Sequence, residues 1–435
     1  MKLLAVAGNP ILHSRSPELF SKLFRETGVE GAYFRMLARD AGEAAAMARG
    51  MRLDGFNVTS PFKVDLIPHL DELEGPAREA GAVNCVYYRN GRLIGANTDH
   101  LGIVRALRAR GTSPGGRKAV VLGAGGAARA AVYGLVKAGA AKVTVVNRTV
   151  ERARKIDTDP MVEVLAVTDS EKALKECDIC LSCVPGSGLL PGPESLKDGC
   201  LFMSASYKKA PCHDGGKGPA LVDGRDWLLY QAGPSFRMLA GREPPASFPD
   251  PEAWDIVSSA PVRKPNVALI GFSGTGKTAS GRALAALMGY HFVDTDALIE
   301  SRSGMSIPAL FRRGGEPVFR NLEKTVIGES VPAARRTVFA TGGGAGLNGE
   351  SADLLRRHCL VVWLWAPPDV CVGRVESGSR PLLGRGNIKA AAETLLAERI
   401  PKYARIAELA LSSERGPAAA VANWIKDEMD QAFGN

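Results

Sequence analysis

The chain has 435 residues, 45% of them hydrophobic and 23% charged, with a formal net charge of +9. That is enough chain for about three compact domains, and the charge is spread along it, which suits acidic small molecules and phosphates at least as well as nucleic acid, the weaker alternative. The opening MKLLAVAGNP is too short for a secretory leader and no stretch approaches a membrane span, so a cytoplasmic protein with no membrane partner is expected.

From Met1 to about Ala240, short apolar runs alternate with amphipathic helical segments, the pattern of α/β layers around a mostly parallel sheet. In GNPILHSRSP, Ser14 and Ser16 stand two apart, so in an extended loop both hydroxyls face one side and can hydrogen-bond a carboxylate or hydroxyls of a cyclic acid. They could equally form a turn or helix cap before Pro17. In GFNVTSPFK, strand-like Gly55 to Val58 ends at Thr59 or Ser60, an N-cap, with Pro61 at the first helical position. Lys63 is then expected in a helix's first turn, where the dipole favours its neutral form and a carboxylate such as Asp99 favours its charge. In VNCVYYRNGRLIGA, Asn90-Gly91 reads as a hairpin turn that brings Asn84 and Asp99 near one another.

Strand-like Lys118 to Leu122 leads into GAGGAA and a helix, so Gly123, Gly125, Gly126 and Ala127 are expected to seat a dinucleotide pyrophosphate. After the next strand, Lys142 to Val146, comes NRTVER instead of the acid that holds a ribose diol. Asn147, Arg148 and Thr149 can receive a 2′-phosphate, which favours NADP over NAD. Arg152 either adds a second positive charge or is a solvated helix residue. Further on, Cys177, Cys180 and Cys183 have a metal-like spacing but lie in an apolar strand, where Cys177 and Cys183 are expected to face one way and Cys180 the other, as structural thiols.

The proline-rich stretch from Arg242 to Lys264 reads as a linker, after which strand-like Val267 to Ile270 enters GFSGTGKT. This is a complete P-loop. Gly274, Thr275 and Gly276 close backbone N–H groups around phosphates, Lys277 reaches them, and Thr278 offers a hydroxyl to magnesium. Asp294 and Asp296, two apart at a strand end, can divide the support of a metal from the handling of a hydroxyl proton. Their other reading is an N-cap with a solvated neighbour. RVESGSRPLLGR from Arg374 reads as a lid or a flexible basic loop.

The strings at Gly8, Gly55, Gly81 (GAVNCV) and Gly95 (GANTDHLG), with the dinucleotide loop, together resemble shikimate dehydrogenase from about Leu4 to Phe236. The resemblance implies a catalytic pair of Lys63 and Asp99, and a shikimate site lined by Ser14, Ser16, Thr59, Asn84, Asp99 and Gln231. Cys85 stands where the family usually has threonine. The segment SASYKKAPCHDGGKG from Ser204 departs from the usual acid, tyrosine, proline and threonine pattern, which alters the surroundings of Tyr207.

DTDALIE, GGEPVFRNLE, TGGG, RPLL and RIPKY, following the P-loop in order, resemble shikimate kinase from Asn266 to about Leu411. By that resemblance Asp294 serves magnesium and Asp296 the substrate hydroxyl. Arg320, supported by Glu323, and Arg399 clamp the carboxylate beside Gly342, Gly343 and Gly344, while Arg380 meets the transferring phosphoryl and Arg374 stacks on adenine. The expected architecture is a substrate-binding α/β domain over 1–100 with a return of 225–245, a Rossmann domain over 101–224, a linker over 246–264, and a P-loop α/β/α kinase domain over 265–435. The implied function is bifunctional, using NADPH, ATP and magnesium on 3-dehydroshikimate and then shikimate. A quinate-type dehydrogenase, or a first half that only senses dinucleotide, is the alternative.

Overall fold

Lys2–Gly8 and Gly31–Leu37 are seven-residue runs buried along nearly their whole length, as strands covered on both faces must be. They pair in parallel, Lys2 opposite Gly31 and Gly8 opposite Leu37. In the computed structural model, which describes residues 1–156, 159–184, 195–205, 220–345, 349–375, 388–414 and 416–434, the chain packs as two compact units. One comprises Met1–Pro17, Glu30–Leu53 and Ala260–Asn435, the other Glu18–Val29 and Asp54–Ser259.

The sheet of the first unit runs His291–Asp294, Thr337–Ala340, Asn266–Ile270, Cys359–Trp365, Leu409–Ser412, Gly31–Leu37, Lys2–Gly8, all neighbours parallel. Its carboxy-terminal strands therefore continue into two strands from the first forty residues, through Leu409 opposite Arg35 and Leu411 opposite Leu37. Aromatic packing follows the same seam: the Trp363 ring lies 5.5 Å from Phe34 and 5.7 Å from Tyr403. A Cβ on Gly50 would fall 2.2 Å from the Trp365 ring, so only a hydrogen fits there.

The second unit holds a parallel sheet in the order Ala220–Val222, Leu201–Ser204, Ile179–Ser182, Lys118–Leu122, Lys142–Val146, Val162–Leu165. This bears out the expected α/β layering. Gly55–Val58, Cys85–Arg89 and Arg92–Ala96 are antiparallel, and the turn between the last two uses positive φ at Asn90 (51°) and Gly91 (77°), as the Asn-Gly signal required.

Three expectations are corrected. No helix begins at Pro61: Phe62 N–H donates to Thr59 O and Leu66 N–H to Phe62 O, and Pro68 has no N–H to offer the Val64 carbonyl, so a run of turns leads only to the short 3-10 helix Ile67–His69. Lys63 is therefore not under a helix dipole. The cysteines do not alternate as expected, because Cys177 precedes the strand Ile179–Ser182 and packs with Cys180 in one core cluster, while Cys183 joins the other. The 246–264 stretch is partly helical: Asp250 caps Pro251–Ser258 by accepting from Ala253 N–H at 2.9 Å, and buried Ala253 and Val257 pack against Leu19 and Leu229. Tyr207 and most of the altered 204–218 segment lie outside the described residues.

Candidate active sites

In the second unit Lys63 Nζ donates to Asp99 Oδ2 at 2.5 Å, and both side chains are largely buried. Turn geometry holds the lysine, whose carbonyl accepts from Val83 N–H at 2.7 Å. Asp99 opens the helix Asp99–Ala109, where exposed N–H groups favour a carboxylate, and its other oxygen accepts from Trp227 Nε1 at 3.2 Å. Beside the pair, Asn84 Nδ2 donates to Thr98 Oγ1 (3.0 Å) and Gln231 Oε1 (3.2 Å), and Asn84 Oδ1 accepts from Thr98 N–H at 2.7 Å. Thr59 is fixed through its carbonyl, which accepts from Phe62 N–H at 3.0 Å.

The dinucleotide loop approaches the same lysine. A Cβ on Gly126 would fall 2.4 Å from Lys63 Cβ, and Gly123 adopts φ 109°, so the two glycines allow a close approach that side chains would block. Gly126 and Ala127 open the helix Gly126–Lys137 after Gly125, leaving N–H groups available to an anion. Past the strand Lys142–Val146, Asn147 Nδ2 donates to Thr149 O at 2.8 Å, and Arg148, Thr149 and Arg152 are exposed.

In the first unit, Ser14 and Ser16 are buried with hydroxyl oxygens 3.3 Å apart, and the Ser14 carbonyl accepts from Arg35 Nε at 2.9 Å and Nη2 at 2.5 Å. The P-loop of this unit follows Asn266–Ile270. Gly271, Gly274 and Gly276 have φ of 141°, 85° and 81°, and a Cβ on Gly274 would meet the Cys371 carbonyl at 2.2 Å. Lys277 Nζ donates to the Gly271 and Phe272 carbonyls at 2.9 and 2.8 Å, and Thr275 is buried in the loop, its hydroxyl bonded to Phe272 O at 2.8 Å. Thr278 Oγ1 donates to Asp294 Oδ2 at 2.7 Å, a pairing of oxygens of the kind a hard divalent cation takes. Asp294 is also the N-cap of Thr295–Ser303, so the cap reading and the metal reading fall on one carboxylate.

Beside the P-loop, side chains converge on the triple glycine. A Cβ on Gly342 would lie 2.5 Å from Asp296 Oδ1 and 2.8 Å from Glu323 Oε1, and one on Gly344 would lie 2.0 Å from Arg320 Nη1. Arg399 Nη1 and the Tyr403 hydroxyl donate to the Gly343 carbonyl at 3.1 and 2.5 Å, and the Arg399 guanidinium lies over the Phe272 ring at 5.8 Å. Glu323 Oε2 accepts from Arg320 Nη1 at 2.7 Å. Burial pushes the Glu323 carboxyl above its ordinary value against the pull of Arg320, and pushes the Tyr403 phenol up to about 12. Glu323 Oε1 and Arg399 Nε are buried with no hydrogen-bond partner among the described residues, so unsatisfied polar capacity is left beside the triple glycine. Arg374 Nη2 donates to the Ser413 and Glu414 carbonyls at 3.0 and 3.1 Å. Arg380 lies outside the described residues.

Residues 6–86 match the model of the shikimate dehydrogenase substrate binding domain and 107–200 that of shikimate / quinate 5-dehydrogenase. A shikimate dehydrogenase (NADP(+)) of Bacillus cereus (strain B4264) is 36% identical over 261 residues, 56% of this chain and 94% of the relative. The chain belongs to the shikimate dehydrogenase family. Residues 273–430 match the shikimate kinase model, so a dehydrogenase and a kinase share one polypeptide. Among solved structures, the shikimate dehydrogenase of Aquifex aeolicus aligns with 30% identity and a TM-score of 0.52, covering 60% of this chain and 98% of that one. That of Thermus thermophilus, solved in complex with NADP(H) and shikimate, aligns with 30% identity and a TM-score of 0.51, covering 59% and 99%. No helix among the described residues is long and apolar enough to cross a membrane.

Sequence reasoning on the dehydrogenase missed Trp227 and Thr98, which hold Asp99 and Asn84, and on the kinase it missed Tyr403. Tyr403 was findable, standing four residues after Arg399 on one helix face. Trp227 carries no local signal, being 128 residues from the carboxylate it serves.

Proposed function

We propose that the chain reduces 3-dehydroshikimate to shikimate with NADPH and then phosphorylates shikimate to shikimate 3-phosphate with ATP and magnesium, acting on small molecules in the cytoplasm. The observation that carries the first reaction is the Lys63–Asp99 pair at 2.5 Å, with Lys63 against the dinucleotide loop. When bound, NADPH supplies the hydride, and ATP with magnesium supplies a charge-neutralised phosphoryl group. Lys63 delivers a proton to the C3 oxygen, and Asp99 keeps its ammonium aimed there. Ser14, Ser16, Thr59, Asn84 and Gln231 hold the cyclic acid, while Asn147, Arg148 and Thr149 receive the 2′-phosphate. The NADP(H) named for the Thermus relative supports that choice.

For the kinase, Arg320 and Arg399 clamp the shikimate carboxylate by their guanidinium forks, and Asp296 orients the C3 hydroxyl and takes its proton. Lys277 and Arg380 hold phosphate, Thr278 and Asp294 hold magnesium, and Arg374 borders adenine. The test is one incubation of the protein with 3-dehydroshikimate, NADPH and Mg-ATP, following NADPH absorbance and product mass. Loss of NADPH together with shikimate 3-phosphate is expected. Phosphorylation of added shikimate with NADPH unchanged would overturn the dehydrogenase assignment, and faster turnover of quinate than of shikimate would overturn its substrate.

A further inference from the structure

One residue within the kinase match bonds the loop that carries the dehydrogenase serines. Glu428, 3% exposed on the helix Ala418–Phe433, accepts at Oε2 from Leu12 N–H (2.6 Å) and Ile11 N–H (2.9 Å), and at Oε1 from Ile11 N–H (3.1 Å). Two successive buried backbone donors are thus satisfied by one carboxylate, and charge-assisted bonds of this kind are the strong ones. The constraint is relayed along the loop: Ser14 N–H closes onto the Ile11 carbonyl at 2.9 Å, and Ser16 N–H lies 3.4 Å from Ser14 Oγ. The far side of the loop is held by Arg35, whose strand pairs with Leu409–Ser412, also within the kinase match. One anchor of the serine loop is therefore supplied by the carboxy-terminal part of the chain, and the other stands on a strand that this part flanks on one side and Lys2–Gly8 on the other.

We propose that Glu428 is a positioning residue for the dehydrogenase reaction, holding Ile11 and Leu12 so that Ser14 and Ser16 meet the substrate carboxylate. This rests on the reading that those serines bind the substrate. Without the carboxylate, two buried N–H groups lose their acceptor and the loop must shift to solvate them. Substrate binding then weakens, while proton transfer at Lys63 is untouched.

The test is Glu428→Gln in the full chain, with Ser14→Ala alongside. In E428Q, amide hydrogen exchange in the 9–17 segment is expected to quicken and the dehydrogenase KM for shikimate to rise roughly tenfold, the scale of one lost bond to a charged group. The dehydrogenase kcat and the KM for NADP should stay within about twofold, and unchanged kinase constants would report an intact first unit. Unchanged exchange in E428Q overturns the proposal. So does faster exchange with an unchanged KM if S14A does raise KM, since Glu428 is then structural only. If S14A also leaves KM unchanged, the serine reading itself has failed. Should E428Q not fold, Glu428→Asp, which keeps the charge one methylene back, is expected to give the same split of KM from kcat in milder form, and its absence counts against the proposal.

Discussion

Lys63 needs no helix terminus to be held: turn bonds, the Val83 amide and Asp99 fix it, and Trp227 fixes Asp99 in turn. Lys63→Ala is therefore expected to lower the dehydrogenase kcat by about 10²- to 10⁴-fold, the range for loss of a general acid, and to leave phosphorylation of shikimate unchanged in steady-state assays of both reactions. Trp227→Phe keeps the ring packing but removes the donor to one Asp99 oxygen. A loss of about tenfold in dehydrogenase kcat is expected, the scale of one hydrogen bond to a charged group, and a rate equal to the parent would mean that Lys63 alone orients the carboxylate. At this scale the sequence was most informative where chemistry dictates residue type. The lysine and aspartate were legible from their motifs, whereas the support from Trp227 depends on a helix more than a hundred residues away and leaves no local trace.

Elements were legible in proportion to how local their causes are. The P-loop could be read directly, since its glycines must take positive φ and admit the Cys371 carbonyl, demands that any sequence with this function has to meet. The helix Pro251–Ser258 was also written in the chain, as Asp-Pro-Glu at an N-terminus, but its prolines read as a linker because burial of Ala253 and Val257 depends on partners elsewhere. The supposed helix at Lys63 failed for the opposite reason: Pro61 fits a first turn, but Pro68 removes the donor that would extend it. Within the triple glycine, the third position makes the closest approach to a side chain, with Arg320 Nη1, the far end of a flexible side chain, 2.0 Å from where a Cβ would stand. Gly344→Ala is expected to displace that guanidinium and raise the kinase KM for shikimate about tenfold, the scale of one lost bond to a charged group, with little change in the KM for ATP. Equal weakening of both would show that the loop serves the whole site and not the acid alone.

For the whole molecule, buried Glu323 links stability to pH. Its folded value is raised by burial above the ordinary 4.5, so it binds a proton more readily folded than unfolded. Its contribution is neutral below about 4.5 and turns unfavourable as pH climbs from there through the folded value, remaining so above it. The melting temperature of the parent relative to Glu323→Gln should therefore fall over that rise, and a difference independent of pH would contradict it. The sheet pairing between Gly31–Leu37 and Leu409–Ser412 has a second consequence. A chain ending at Ser259 would leave the backbone of Gly31–Leu37 unpaired along one side, and self-association is expected by light scattering, whereas a uniform monomer would show that edge to be tolerated. This pairing was not legible in the sequence, because either strand alone reads as an ordinary buried run and nothing local names its neighbour. It also sets a clock on biogenesis. At about 5 to 20 residues per second, a ribosome that has made Leu37 needs roughly 20 to 75 seconds more to reach Leu409. Through that interval the nascent chain carries a finished strand with no partner on one side, so the amino-terminal part of the first unit must wait for the last strand to emerge before it can close, and whatever shields that edge meanwhile acts during translation.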